Sequence, residues 1–240
     1  MLKFFKLLFP FKFKRQIKDH LGVPSLHLSL QNLKSKGFNP VAVLDIGAYE
    51  GLWSIDFLEV FPTARILMLE AQTKKAKTLT KIVEENKNVQ FEISLLSSTD
   101  GEAVLFYEDE TASHIINAKS NNVLHANFIK TKTVDTILRE INFPKPQFLK
   151  LDVQGHELEV LKGARDSLLS AEFCLLEVSF LDLGDGNPLA AAVINFMEES
   201  NFQMYDITQF IRRPYDKALF QIDLMFIKKD SVLISQKRWD

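Results

Sequence analysis

Three acids and one histidine stand where a parallel sheet could bring them together. Asp45 precedes two glycines in Val43-Leu44-Asp45-Ile46-Gly47-Ala48-Tyr49-Glu50-Gly51, Glu70 follows the apolar run Arg65–Leu69, and Asp152 and His156 flank a break at Gly155. Such groups can take a proton from a hydroxyl or bind the hydroxyls and cationic head of a ligand. Gly47 allows a sharp turn and Gly51 a close approach of backbone to ligand. A helix beginning at Leu52 offers free N–H groups and the positive end of a dipole. An acid beside this loop argues against a pyrophosphate there. It suits a cationic head, such as the aminocarboxypropyl arm of S-adenosylmethionine. Glu70, 19 residues beyond Gly51, is placed to accept hydrogen bonds from ribose hydroxyls. The plainer alternatives are a turn or helix cap for Asp45 and a solvated strand end for Glu70. A dinucleotide would use Glu70 in the same way, but Tyr49 occupies the second glycine position of G-x-G-x-x-G and blocks a pyrophosphate.

The elements that must carry these residues follow from apolar periodicity. Strands are expected at Val41–Ile46, Arg65–Leu69, Val89–Leu96, Phe148–Val153 and Phe173–Val178, with helices at Leu52–Phe61, Lys74–Glu85, Asp135–Ile141, Glu157–Leu169 and Leu189–Glu199. Ala103–Tyr107 alternates like a hairpin arm, and Asp109–Asn127 reads as a long loop with a short strand near Ile115-Ile116. Lys130–Val134 is short and extended, and late strands are expected at Met204–Ile207 and Asp223–Ile227. Strand–helix alternation implies an α/β fold: a mainly parallel sheet with helices on both faces. Carboxyl ends of parallel strands share one edge, so Asp45, Glu70 and Asp152 converge on one cleft.

The chain has 240 residues, 46% of them hydrophobic, enough for one sizeable core in a soluble domain. A net charge of −2 gives no case for nucleic acid as a partner. One cysteine, Cys174, excludes an internal disulfide and a cysteine-rich zinc site; its apolar surroundings predict burial. The His and acid spacings form no recognisable metal motif.

The segment Lys150-Leu151-Asp152-Val153-Gln154-Gly155-His156-Glu157-Leu158-Glu159-Val160-Leu161-Lys162-Gly163-Ala164 adds specificity. With Asp45-Ile46-Gly47-Ala48, Gly51, Glu70-Ala71, the Leu96-Ser97 step before Gly101, and Lys132-Thr133-Val134-Asp135, it resembles the FkbM-type methyltransferase family over Val43 to about Val178. That resemblance implies a class I methyltransferase (Rossmann-like) seven-stranded sheet with S-adenosyl-L-methionine as cofactor. It implies O-methylation of a hydroxyl, with a sugar or glycan, lipid-linked or free, as the favoured acceptor. It places the methionine arm at Asp45, Gly47, Ala48, Tyr49 and Gly51, the ribose at Glu70 and Ala71, the adenine near Ser94, Leu95 and Leu96, and the reacting centre at Asp152. Two positions depart from the commonest pattern: Tyr49 stands where Asn is frequent and Gln154 where Glu is frequent.

Asp152 and His156 are the leading candidates for the base; Glu157 and Glu177 are weaker ones, and His114 could meet the substrate. His156 equally suits a helix start or the surface, and Glu157 a helix dipole. Two other readings of the chain remain: a non-catalytic module binding S-adenosylmethionine or a glycan, and an NAD-dependent oxidoreductase.

The organisation expected is an amino-terminal extension with a covering helix (1–37), a catalytic domain (38–230) and a tail (231–240). Within the extension, Leu26–Lys36 is helical and Gly37 ends it. Met1–Lys18 interleaves Phe4, Phe5, Leu7, Leu8, Phe9, Phe11 and Phe13 with lysines and Arg15, and has no acid. No apolar run spans a bilayer, so the expectation is a cytoplasmic protein. The segment could touch the anionic inner face of a membrane or pack on the domain with its lysines in water. Membrane contact predicts that the full chain floats with anionic vesicles and that deletion of Met1–Lys18 abolishes flotation. Unchanged flotation would count against it.

Overall fold

The computed structural model describes residues 21–108, 114–115, 126–183 and 186–239, with the backbone alone at His114, Ile115 and Ala126. Met1–Lys18, the side chain of His114 and most of Asp109–Asn127 lie outside the described residues.

Five short segments form a run of parallel strands in the principal sheet: β1 (Ala42–Ile46), β2 (Arg65–Glu70), β3 (Val89–Ile93), β8 (Phe148–Leu151) and β9 (Phe173–Ser179). All five residues of β1 and all four of β8 are buried, as expected of parallel strands covered on both faces. Two longer strands, β10 (Phe202–Arg212) and β11 (Leu219–Lys228), complete the order β10-β11-β9-β8-β1-β2-β3. Only β11 is reversed, pairing antiparallel with both β9 and β10. The chain leaves β1 for β2 on one side and β8 for β9 on the other. The switch point therefore lies between β1 and β8, where the carboxyl edge of an open α/β sheet forms its ligand crevice.

Helices cover both faces. One carries α1 (Leu26–Ser35), α2 (Leu52–Val60) and α3 (Ala76–Glu85), packed on Val43, Ile66, Met68, Phe148, Phe173 and Leu175. Phe38, Phe57, Phe61, Phe148 and Phe173 interlock here, with Phe38 and Phe173 edge-to-face at 4.7 Å. Each such ring contributes about 1.5–3 kcal/mol by burial. The other face carries α4 (Val134–Glu140), α5 (Glu157–Lys162), α6 (Arg165–Ser170) and α7 (Ala190–Glu199), packed on Leu44, Ile46, Leu149 and Leu151. Cys174 is fully buried. Among the described residues no helix is long and apolar enough to cross a membrane.

Two expected elements are divided. The strand expected over Val89–Leu96 ends at Ile93. Ser94 N–H makes a last rung to the Glu70 carbonyl at 2.8 Å. Then β4 (Leu95–Leu96) pairs instead with β7 (Ala126–Lys132) in a second sheet of order β4-β7-β5-β6, which includes β5 (Ala103–Tyr107) and β6 (His114–Ile115). The single helix expected over Glu157–Leu169 is two. At the break, a Cβ on Gly163 would lie 2.2 Å from the Ser97 carbonyl oxygen. The next helix is capped from outside: Asp135 accepts the N–H groups of Asp166 (2.8 Å) and Ser167 (3.0 Å). A borrowed cap of this kind lets a helix restart where its own sequence supplies none.

The sheet also encloses a charge. Asp45 is fully buried on β1, directly opposite Lys150 of β8. Lys150 Nζ lies 3.2 Å from Asp45 Oδ1, and Ser54 Oγ donates to Asp45 Oδ2 at 2.7 Å. Replacing Lys150 with Met leaves that carboxylate without its counter-charge. The expected loss is about 3–5 kcal/mol, as for other buried pairs broken on one side, and the double variant D45N/K150M recovers most of it. Urea denaturation checks both; a K150M loss below about 1 kcal/mol, the scale of an exposed pair, would contradict the analysis.

Candidate active site

The crevice at the switch point is built by two loops that follow β1 and β8. The first turns through left-handed residues, with φ of 73° at Gly47, 50° at Tyr49 and 73° at Gly51. Its amides are used internally. Gly47 N–H and Ala48 N–H donate to the Leu69 carbonyl at 2.8 and 3.1 Å, and Tyr49 N–H donates to Glu70 Oε2 at 2.7 Å. The two glycines serve packing. A Cβ on Gly47 would lie 1.8 Å from the Asp152 carbonyl oxygen. One on Gly51 would meet Ile82, Met68 and Leu79 at 2.6–3.3 Å, inside the core between β2 and α3. The close approach at Gly51 is thus to the protein's own side chains.

The second loop is organised by Glu157. This buried carboxylate accepts the N–H groups of Val153 and Gly155, each at 3.1 Å. Burial raises its pKa, and those backbone N–H groups oppose the rise. Its role is to fold the turn, beyond any interaction with the helix dipole. Gln154 is left-handed with φ of 54°, and its side-chain amide donates to Asp152 Oδ1 at 2.9 Å.

Between the loops lies a cavity of about 280 Å³. Gly47, Tyr49, Glu70, Ala71, Ser94, Leu95, Leu96, Asp152 and His156 all line it, so most of the residues singled out from the sequence converge. Ala48 instead lines a neighbouring cavity, and Asp45 and Gly51 line neither. The Asp45 carboxylate is occupied by Lys150 and Ser54, so the cation it was expected to meet in a ligand is supplied by the chain itself. Lys150 also donates to the Gly47 carbonyl at 2.9 Å. Burial disfavours its ammonium, but Asp45, Asp152 and Asp223 more than reverse this and raise its pKa.

Three features bear on what the cavity can hold. Each Glu70 oxygen accepts one backbone N–H, from Gln72 at 2.8 Å and from Tyr49. A carboxylate oxygen has two lone pairs, so capacity remains for a pair of ligand hydroxyls. Gln72, 6% exposed, has a buried Oε1 with no hydrogen-bond partner among the described residues. An orphan acceptor of this kind calls for a ligand donor or a water. Ile46, Leu69, Leu95, Leu96 and Phe106 supply apolar walls. Hydroxyl acceptors beside an apolar slot suit a nucleoside. Gln72 and Phe106 were not singled out from the sequence. The signals present were the position of Gln72 two residues after Glu70 and the alternation of Ala103–Tyr107, which buries Phe106.

His156 stands at the Ser94–Leu96 end, its Nε2 3.0 Å from Ser97 Oγ. Burial lowers its pKa, so it is neutral at pH 7. Asp152 lies on the rim shared with the neighbouring cavity.

Residues 45–204 match the family model described as the methyltransferase FkbM domain. A curated relative, hexuronic acid methyltransferase AglP of Haloferax volcanii, is 46% identical over 50 residues, 21% of either chain. The match therefore spans about a fifth of that relative. The crystal structure of methyltransferase FkbM from Methylobacillus flagellatus superimposes with a TM-score of 0.51 at 15% identity, covering 78% of this chain and 43% of that one. The shared fold is the class I methyltransferase sheet found above. The chain belongs to the FkbM methyltransferase family, and its cofactor is S-adenosylmethionine.

Proposed function

We propose that this protein is an O-methyltransferase acting on a hydroxyl of a sugar or glycan, and that Asp152 is the proton acceptor. The position of Asp152 carries the reading: it stands where the cofactor cavity meets a second cavity with polar walls. The cofactor supplies a methyl group on a sulfonium, open to in-line displacement by an oxygen.

The chain's own residues divide the remaining work. Glu70 would accept the ribose hydroxyls, Gln72 Oε1 a further donor, and Leu95, Leu96 and Phe106 would flank the base. Gly47 and Tyr49 would bound the methionine arm. His156, held at Ser97, belongs on this reading to the nucleoside end of the cavity. Asp152 is poised differently. Its side chain is 37% exposed, Gln154 donates to Oδ1, and Lys150 Nζ is 3.9 Å from Oδ2. Both neighbours orient the carboxylate, so it can accept the proton of a hydroxyl aligned for attack. The relative that methylates a hexuronic acid supports a sugar as acceptor.

Calorimetric titration should show micromolar binding of S-adenosylmethionine and S-adenosylhomocysteine and none of NAD; folded protein that binds neither sulfur ligand would refute the proposal. D152N should keep cofactor affinity within about threefold while lowering kcat by about 10²–10⁴, the usual contribution of a positioned base. Equal losses in affinity and turnover would assign Asp152 to binding alone.

A further inference from the structure

The second cavity, of about 230 Å³, shares Gly47, Tyr49 and Asp152 with the cofactor cavity and extends from that rim to Trp53, Lys150, Glu177 and Asp223. Among the described residues its walls carry four carboxylates, Glu50, Asp152, Glu177 and Asp223, against one ammonium, Lys150. Lys150 is committed to Asp45 and to the Gly47 carbonyl, and Glu50 is paired with Lys75 at 3.0 Å. Among the described residues, no cation lining the cavity is left to meet an anionic ligand.

Glu177 and Asp223 face each other across the antiparallel pair β9–β11. Like charges in that register cost stability, and the Asp223 carboxylate has no hydrogen-bond partner among the described residues; Lys150 alone opposes its burial electrostatically. Glu177 Oε2 accepts from Gln221 at 3.0 Å and from Gln154 at 3.4 Å. Gln154 therefore joins Asp152 and Glu177, a link that a glutamate at 154 would replace with a third carboxylate.

We infer that this cavity receives the acceptor, that the acceptor is a neutral or amino-bearing sugar and not a uronate, and that Asp223 and Glu177 enforce the choice. The inference rests on the methyl-transfer reading above and names its substrate class. Carboxyl groups in either protonation state bond sugar hydroxyls, and an aromatic wall such as Trp53 suits the apolar face of a pyranose. A uronate would bring another negative charge into a partly buried space already rich in them, where screening is weak.

The charge of these walls depends on pH. Burial, then Asp152, Asp223 and Glu157, push Glu177 up to about 8, with Lys150 opposing. Burial and Asp152 push Asp223 up to about 6, again against Lys150. Tyr49 and Glu50 face the same space from the first loop, with Lys75 paired to Glu50, and Gln221 of β11 donates to Glu177. As pH rises, Asp223 and then Glu177 lose their protons and become anionic. A uronate is anionic throughout, so discrimination against it widens from about pH 5.5 to about pH 8.5.

The test is methyl transfer from labelled S-adenosylmethionine to three glycosides of one ring configuration: a hexose, an aminohexose and a hexuronic acid. The wild type should favour the first two over the third by about tenfold or more in kcat/KM, with the ratio growing with pH. D223N should narrow the ratio by about tenfold, and Q154E, a change at an exposed site that leaves the fold intact if D223N does not, should widen it. Preference for the hexuronide overturns the inference, as does a ratio that neither variant moves. So does absence of transfer to all three by protein that binds S-adenosylhomocysteine. Failure of the wild type to bind S-adenosylhomocysteine would fall on the methyltransferase reading itself.

Discussion

The pairing of Asp45 with Lys150 governs the carboxyl edge of this sheet. Two opposite charges stand side by side on adjacent parallel strands at the switch point, one fully buried and the other nearly so. Their net contribution to stability is small once both have left water, but each is intolerable without the other. That asymmetry fixes register. A one-residue slip between β1 and β8 would send the two side chains to opposite faces and leave two buried charges unpaired. The same ammonium bonds the Gly47 carbonyl and approaches Asp152, so the pair also ties the two loops to the strands they leave.

The loops are locked to one another as well. The first passes so close to the second that only a hydrogen fits at Gly47 beside the Asp152 carbonyl. The first is pinned to β2 by the Leu69 and Glu70 acceptors, the second to α5 by Glu157.

 The Leu69 carbonyl and the Glu70 carboxylate thus do for one loop what Glu157 does for the other. Left-handed backbone at Tyr49 and Gln154 is costly for residues with a Cβ, and these internal hydrogen bonds hold it in place. A cleft wall made in this way is preorganised, so a ligand need not order it on binding.

Much of this was legible in the sequence, and the omissions have physical causes. β1, its loop and α2 were clear because an apolar run, glycines and a helical period follow one another without interruption. Glu70 was clear because a strand end at that distance from the loop reaches the same edge. The second sheet was harder to see. β4 is two residues long and continues an apolar run that belongs to β3, so no period marks where one sheet gives way to the other. The break between α5 and α6 was hidden because its cause is tertiary: the backbone of Ser97 crosses Gly163, and Asp135 caps the new helix from a distant element. Lys150 was passed over inside an apolar strand, although a lysine there signals a buried partner, and this lysine took the carboxylate expected to meet the ligand. Gly51 was assigned to the right loop for the wrong neighbour, since sequence shows that a Cβ is absent but not what would have struck it.

The distribution of charge along the edge gives the proposed reaction a direction. The methyl donor carries a sulfonium, and its product, S-adenosylhomocysteine, does not. Asp152 lies where the two cavities meet and Glu177 and Asp223 line the second, so the region around the proposed reacting centre is negative. Such a field favours the cationic reactant over the product once the methyl has left. Displacement at a sulfonium neutralises charge as it proceeds, and a negative wall on its own would oppose that step by stabilising the starting ion. The protonation of the wall limits this cost. Glu177 holds its proton at neutral pH because it is buried and because Asp152, Asp223 and Glu157 stand nearby, which takes one negative charge out of the wall. Asp152, the proposed proton acceptor, is the acid that Gln154 and Lys150 both approach.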